Sequence, residues 1–162
     1  MASDKHPQIL RLHVTESAIN TFTQVAVPTG LPQVPAKGKV LAMNLLFILA
    51  SLSVGAGGDL DGFSSQLTTK SESELVDLNS QGVICTFNHQ TIVAAAGSVR
   101  YTQPIQFILH DGKGHGPLIV TPEIYIGIKG NSQVAVGTAN FALYYTMVEV
   151  DAVEVLGIAQ AG

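Results

Sequence analysis

Apolar side chains recur at every second position through most of this chain, and Gly, Pro, Asn and Asp close the runs. That period sends alternate side chains to opposite faces of an extended strand. A chain patterned this way must pair its strands into sheets and cover one face of each. The pattern predicts eight strands: Gln8–Val14, Ala18–Val27, Lys39–Ser51, Ser65–Lys70, Gly82–Ala94, Ser98–His110, Leu118–Lys129 and Ala139–Val150. In the first, Leu10, Leu12 and Val14 face one way and Arg11 and His13 the other. In the last, Phe141, Leu143, Tyr145 and Met147 alternate with Ala142, Tyr144, Thr146 and Val148.

Between the strands lie a proline-rich connector over 31–36, a bend at Asn88-His89, and the turn Asp111-Gly112-Lys113-Gly114. Pro122 marks an edge or bulge position, since proline donates nothing to a ladder. Two short helical turns are expected where Ser71 and Glu74, and again Asp151 and Glu154, have capping-box spacing. Connections of such unequal length fit a sandwich or barrel with crossovers better than a meander. The expected fold is therefore all-β, an eight-stranded jelly roll with one or two short helical turns, forming one domain over 1–162. An immunoglobulin-like sandwich fits less well, because the chain has no tryptophan and a single cysteine.

Only 20 of the 162 residues carry a formal charge, 12% of the chain against about 25% in ordinary soluble domains. Either Ser, Thr, Asn, Gln and Gly make the surface polar, or copies of the same chain cover much of it. The second reading is preferred and implies a homo-oligomer, a ring or a shell. Outward Ala94, Ala95 and Ala96, with Thr21 and Thr23, are the expected contact positions. Net charge is −4 and Lys37 with Lys39 is the densest basic pair, so no basic arm exists for direct nucleic-acid binding. The first residues lack the charged-then-apolar order of a signal peptide. Cys85 is the lone cysteine, which excludes an intrachain disulfide.

From Val40 to Gly58 there is no charge, and the strongly apolar part, Val40–Val54, spans 15 residues. A bilayer-crossing helix needs about 20. The segment reads as a strand buried on both faces, so Leu46→Asp is expected to block folding.

The residues assemble no catalytic constellation. His110 and His115 flank Asp111 around two glycines, but metal sites need three or four converging ligands. Replacing both histidines with Ala is expected to leave folding and assembly intact. No His-x-His of the cupin kind occurs. Neither Ser53 nor Ser98 sits in a Gly-x-Ser-x-Gly elbow, and Cys85 lies mid-strand, where a cysteine is usually an inert small hydrophobe, with His89 at the bend beyond it. The glycines at 55, 57 and 58 lack the Lys-Ser/Thr of a phosphate loop, and Asp59 and Asp61 lack the later acidic ligand of a calcium loop. The chain thus reads as a non-enzyme with no catalytic, cofactor-binding or metal residues and no cofactor.

Four stretches carry a family resemblance: Gly38–Leu41; Gln66–Ser71 after a glycine-rich loop; Ile124–Asn131; and Ala142–Val150. Their order resembles the single-jelly-roll capsid proteins of membrane-containing icosahedral viruses of archaea and bacteria, in which barrels stand upright on an internal membrane. The resemblance implies a major capsid protein that self-assembles into a virion shell, made and assembled in the host cytoplasm. It further implies contact with an underlying viral membrane and with a second capsid protein. A ligand-binding β-sandwich, lectin-like or of the trimeric signalling type, is the alternative. Such a module usually offers exposed aromatics, and this chain has six Phe and four Tyr. Phe141, Tyr144 and Tyr145 read as core plus interface.

Overall fold

The computed structural model describes residues 6–31, 38–54, 62–90, 92–94, 97–99, 105–133, 135–151 and 153. Its strands are β1 (Gln8–Thr15), β2 (Thr23–Pro28), β3 (Lys39–Val54), β4 (Gly62–Thr68), β5 (Val83–Gln90) and β6 (Ile92–Ala94). They continue as β7 (Gly97–Val99), β8 (Ile105–Ile108), β9 (Leu118–Ile119), β10 (Glu123–Asn131) and β11 (Gly137–Asp151). One sheet runs β1-β11-β3-β8, with β9 also on β3; the other runs β2-β10-β4-β5, and β6 pairs with β7 in a hairpin.

This order has a simple origin. The chain folds back antiparallel between β4 and β5, so that β4 meets β5, β3 meets β8 and β9, β2 meets β10, and β1 meets β11. Rolling that ribbon puts the β1–β11 and β3–β8 pairs in one sheet, joined by β11 on β3, and the β2–β10 and β4–β5 pairs in the second, joined by β10 on β4. The result is a jelly roll of two packed antiparallel sheets.

Alternation drives the packing. Leu12 and Val14 of β1, Phe141 and Leu143 of β11, and Ile48 and Ala50 of β3 face Ile124, Ile126, Ile128 and Leu67 of the second sheet. Each large aliphatic buried this way contributes about 1.5–3 kcal/mol. One β-bulge re-phases the pattern. Tyr145 opposes Leu45 and Tyr144 opposes Phe47, which leaves Leu46 as the extra residue. Inward positions therefore shift from Met43 and Leu45 to Ile48, Ala50 and Leu52.

The bulge corrects the expectation for the long apolar run. Only Ala42–Leu45 are buried consecutively; Leu46, Phe47 and Leu49 are half-buried. Leu46 offers its carbonyl oxygen to the Leu109 and His110 amides, and its side chain does not enter the core. Leu46→Asp therefore does not test the core, and Ile48, fully buried, replaces it as the critical site.

Other boundaries move for local reasons. The second strand starts at Thr23 because Asn20 takes positive φ (58°) and its side chain holds the Gln133 peptide on both sides. The seventh divides into β9 and β10 because Thr29 claims the carbonyls of Thr121 and Pro122. The fifth continues beyond β5 as β6, and the sixth is seen as β7 and β8.

The helical turn expected at Ser71–Glu74 is a correction: the segment 69–82 is non-helical and lies over the outside of the second sheet. Gln66 of β4, wholly buried, donates to the Glu74 carbonyl and accepts from the Val76 amide. Gln24 of β2 accepts from the Glu72 amide and the Ser71 hydroxyl. Side chains from two strands thus occupy the backbone groups that a helix would need. The second expected helical turn, past Asp151, and the connector beyond Leu31 lie outside the described residues apart from Val153.

Candidate functional site: the outer face of the first sheet

The outer face of the sheet formed by β1, β11, β3 and β8 has three zones. At one end Asn44 reaches outward, donating to the Gly114 carbonyl and Thr146 Oγ1 and accepting from the Gly116 amide at 2.7 Å. It holds the 110–117 loop against β3 and is itself buried beneath it. Gly116 permits this approach, because a Cβ there would overlap the Leu45 carbonyl.

The middle zone is open. Strand register places Ile9 opposite Tyr144, Tyr144 opposite Phe47, and Phe47 opposite Ile108, one apolar row across four strands. Phe47 and Tyr144 stack with ring centroids 4.1 Å apart. Ile9 is 43% exposed and Ile108 66% exposed. The next row along the strands is Arg11, Ala142, Leu49 and Gln106. The third zone is polar, with His13, Asn140 and Ser51, then Thr15 and Thr138 sharing a 2.8 Å hydrogen bond.

The loop histidines do not converge. His110 Nδ1 accepts from the Gly112 amide, while His115 Nδ1 meets Asp111 Oδ2 at 3.0 Å. Asp111 Oδ1 accepts from the amides of Lys113 and His115, closing the loop on itself. No group of three His, Cys, Asp or Glu that could hold a metal occurs among the described residues. The His115 hydrogen bond, followed by those two amides, lowers the Asp111 carboxyl to about 2. This carboxylate therefore supports the loop above its unfolded value, and the support is lost as pH falls through about 2. Replacing His110 and His115 together with Ala should leave folding and assembly unchanged while the Asp111 midpoint rises, read by NMR titration. Tightly bound stoichiometric zinc, lost in that variant, would contradict the loop reading.

Cys85 points into the core from β5, and burial pushes its thiol up to about 12, which suits packing and not nucleophilic attack. Ser53 is exposed and donates to the Thr138 carbonyl. The side chains of His89 and Ser98, and the segment with Gly55, Gly57, Gly58, Asp59 and Asp61, lie outside the described residues. Among the expected contact positions, Thr23 is half-buried at the start of β2, its hydroxyl accepting from the Ser17 amide and donating to the Thr21 carbonyl. Thr21 is exposed; the Ala94 side chain and residues 95 and 96 are outside the description.

No family model matches this chain, and no curated protein matches it. Among solved structures it is similar to VP1 of trichodysplasia spinulosa-associated polyomavirus in complex with GM1 oligosaccharide, at 8% identity and TM-score 0.49, covering 91% of this chain and 95% of that one. It is also similar to a mutant, unassembled VP1 pentamer of Washington University polyomavirus, at 13% identity and TM-score 0.47, covering 90% and 93%. A third is Desmodium yellow mottle tymovirus, at 13% identity and TM-score 0.35, covering 92% and 90%. The jelly-roll assignment rests on the strand order itself.

Proposed function

We propose that this chain is the major capsid protein of a viral shell, built by self-association of one jelly-roll domain over 1–162. The observation that carries the reading is the open apolar row Ile9–Tyr144–Phe47–Ile108, on the sheet face that does not form the core. A two-sheet fold needs one apolar face per sheet, and a second suggests a covering partner. The sparse charge of the chain supports the same conclusion. Fold alone does not set function, since jelly rolls also serve lectins and cupins. The described residues offer neither a ligand-holding cluster for a cupin-like enzyme nor an activated nucleophile.

In the finer form of the proposal, the barrels stand upright on an internal membrane, as in the membrane-containing viruses the sequence resembles. The shell is then made and assembled in the host cytoplasm, with a second capsid protein, and without direct contact to nucleic acid. Electron microscopy of purified, nuclease-treated protein tests this. Rings or shells that survive nuclease are expected; dispersed monomers or trimers that bind a small ligand would favour the sandwich-module reading instead.

A further inference from the structure

The middle zone of the first sheet's outer face carries two ionisable side chains in its neighbourhood, Arg11 and His13, both exposed. Among the described residues Arg11 makes no ion pair. On the opposite side of the sandwich, the 69–82 strap presents exposed Glu74, Asp77 and Leu78, with Glu72 and Leu75 half-buried. Leu78 is 68% exposed, and none of these three carboxylates makes an ion pair among the described residues. The strap's cation, Lys70, donates to Gln81 Oε1. One chain therefore carries an apolar row beside a free guanidinium on one side, and an apolar knob among free carboxylates on the other.

We infer that the surface covering the apolar row is the acidic strap of a second copy of this chain, with Leu78 seated near Ile108 and Phe47 and the strap carboxylates facing Arg11. This rests on the self-association reading above and specifies its contact. The two surfaces lie on opposite faces of a sandwich whose sheets are about 10 Å apart, so one chain cannot satisfy itself. Face-to-face pairing of two identical rows would leave both Arg11 side chains without a carboxylate partner, since neither row of the zone holds one. Face-to-strap contact pairs opposite charges instead.

The size is appropriate as well. Four strands at about 4.8 Å spacing, and two rows along them, give a patch of about 250 Å², apolar but for Arg11 and Gln106 at the ends of the second row. That matches the apolar centre of an interface burying about 800 Å² per partner, with Arg11, His13 and Gln106 at its polar rim. The strap is fit for contact because Gln24 and Gln66 fix its backbone. Ordering it costs little at the moment of binding. Such a contact is heterologous, using different patches on the two copies. Repetition gives a closed ring when the rotation between neighbours closes, and an open chain otherwise.

Cysteine pairing tests the contact directly, since native Cys85 is buried. Full-length Ile108→Cys and Leu78→Cys proteins, mixed under mild oxidation, should form a disulfide-linked dimer, and the double variant should form a ladder. Either single variant alone should cross-link weakly. Arg11→Glu should weaken association about tenfold, and Glu74→Arg with Asp77→Arg in the same chain should restore it. Efficient cross-linking of Ile108→Cys with itself, or additive losses in the charge reversals, would overturn the contact. Wild-type protein that associates while the mixed cysteines stay apart defeats this inference alone. Wild-type protein that never associates defeats the shell reading.

Discussion

Ile48→Asp is expected to abolish folding. Ile48 is fully buried on β3, between Leu143 of β11 and Phe107 of β8. A carboxylate there would lose its hydration with no buried cation among the described residues to pair with. An unpaired buried charge belongs among the most destabilising changes, above about 4–5 kcal/mol. Total stability of a domain this size is about 5–15 kcal/mol, so the variant should be recovered as aggregate. Ile48→Val removes one methylene and should cost only about 0.5–1.5 kcal/mol in urea unfolding. Soluble, cooperatively folding Ile48→Asp protein would show that β3 does not form the core. Leu46→Asp, at the bulge, should be markedly milder.

The second large effect is expected at Glu16. Its side chain is buried just past the end of β1, where one carboxylate oxygen accepts from the Gly130 amide at 2.6 Å and the other from the Gly137 amide at 3.0 Å. Its own amide donates back to the Gly137 carbonyl. Gly130 belongs to β10 and Gly137 to β11, so a single carboxylate ties the two sheets together at one end. Glu16→Ala leaves two buried N–H groups without acceptors, at about 1–3 kcal/mol each. A loss of about 2–6 kcal/mol in denaturant unfolding follows. Glu16→Gln should lose less, because its one oxygen still serves one amide while its amino group faces the other. Equal stability of the three proteins would contradict the clasp.

Much of this fold was legible in the residues, because alternation is a local signal. Arg11 and His13 against Leu12 and Val14, and Tyr144 against Leu143 and Tyr145, face as their parity requires. The jelly roll followed from strand number and unequal connections. The bulge was not legible: in Leu45-Leu46-Phe47-Ile48-Leu49 every residue is apolar, so a change of phase leaves no trace. The strap at 69–82 imitated a capped helix, because the Gln24 and Gln66 side chains that hold it open come from other strands. Glu16 gave no sign of its role, since its partners lie 114 and 121 residues away. The apolar row was hidden for the same reason. Ile9, Phe47, Ile108 and Tyr144 look like isolated exceptions until the register aligns them. From the sequence, Phe141, Tyr144 and Tyr145 read only as a set, core plus interface.

Sedimentation velocity on the full chain, from micromolar to near-millimolar protein and from low to moderate salt, decides whether the chain self-associates. Self-association should give large, discrete species that grow with concentration and withstand moderate salt, because apolar contact outlasts the screening of surface charge. A soluble monomer across that whole range, with the apolar row open to water, would contradict it.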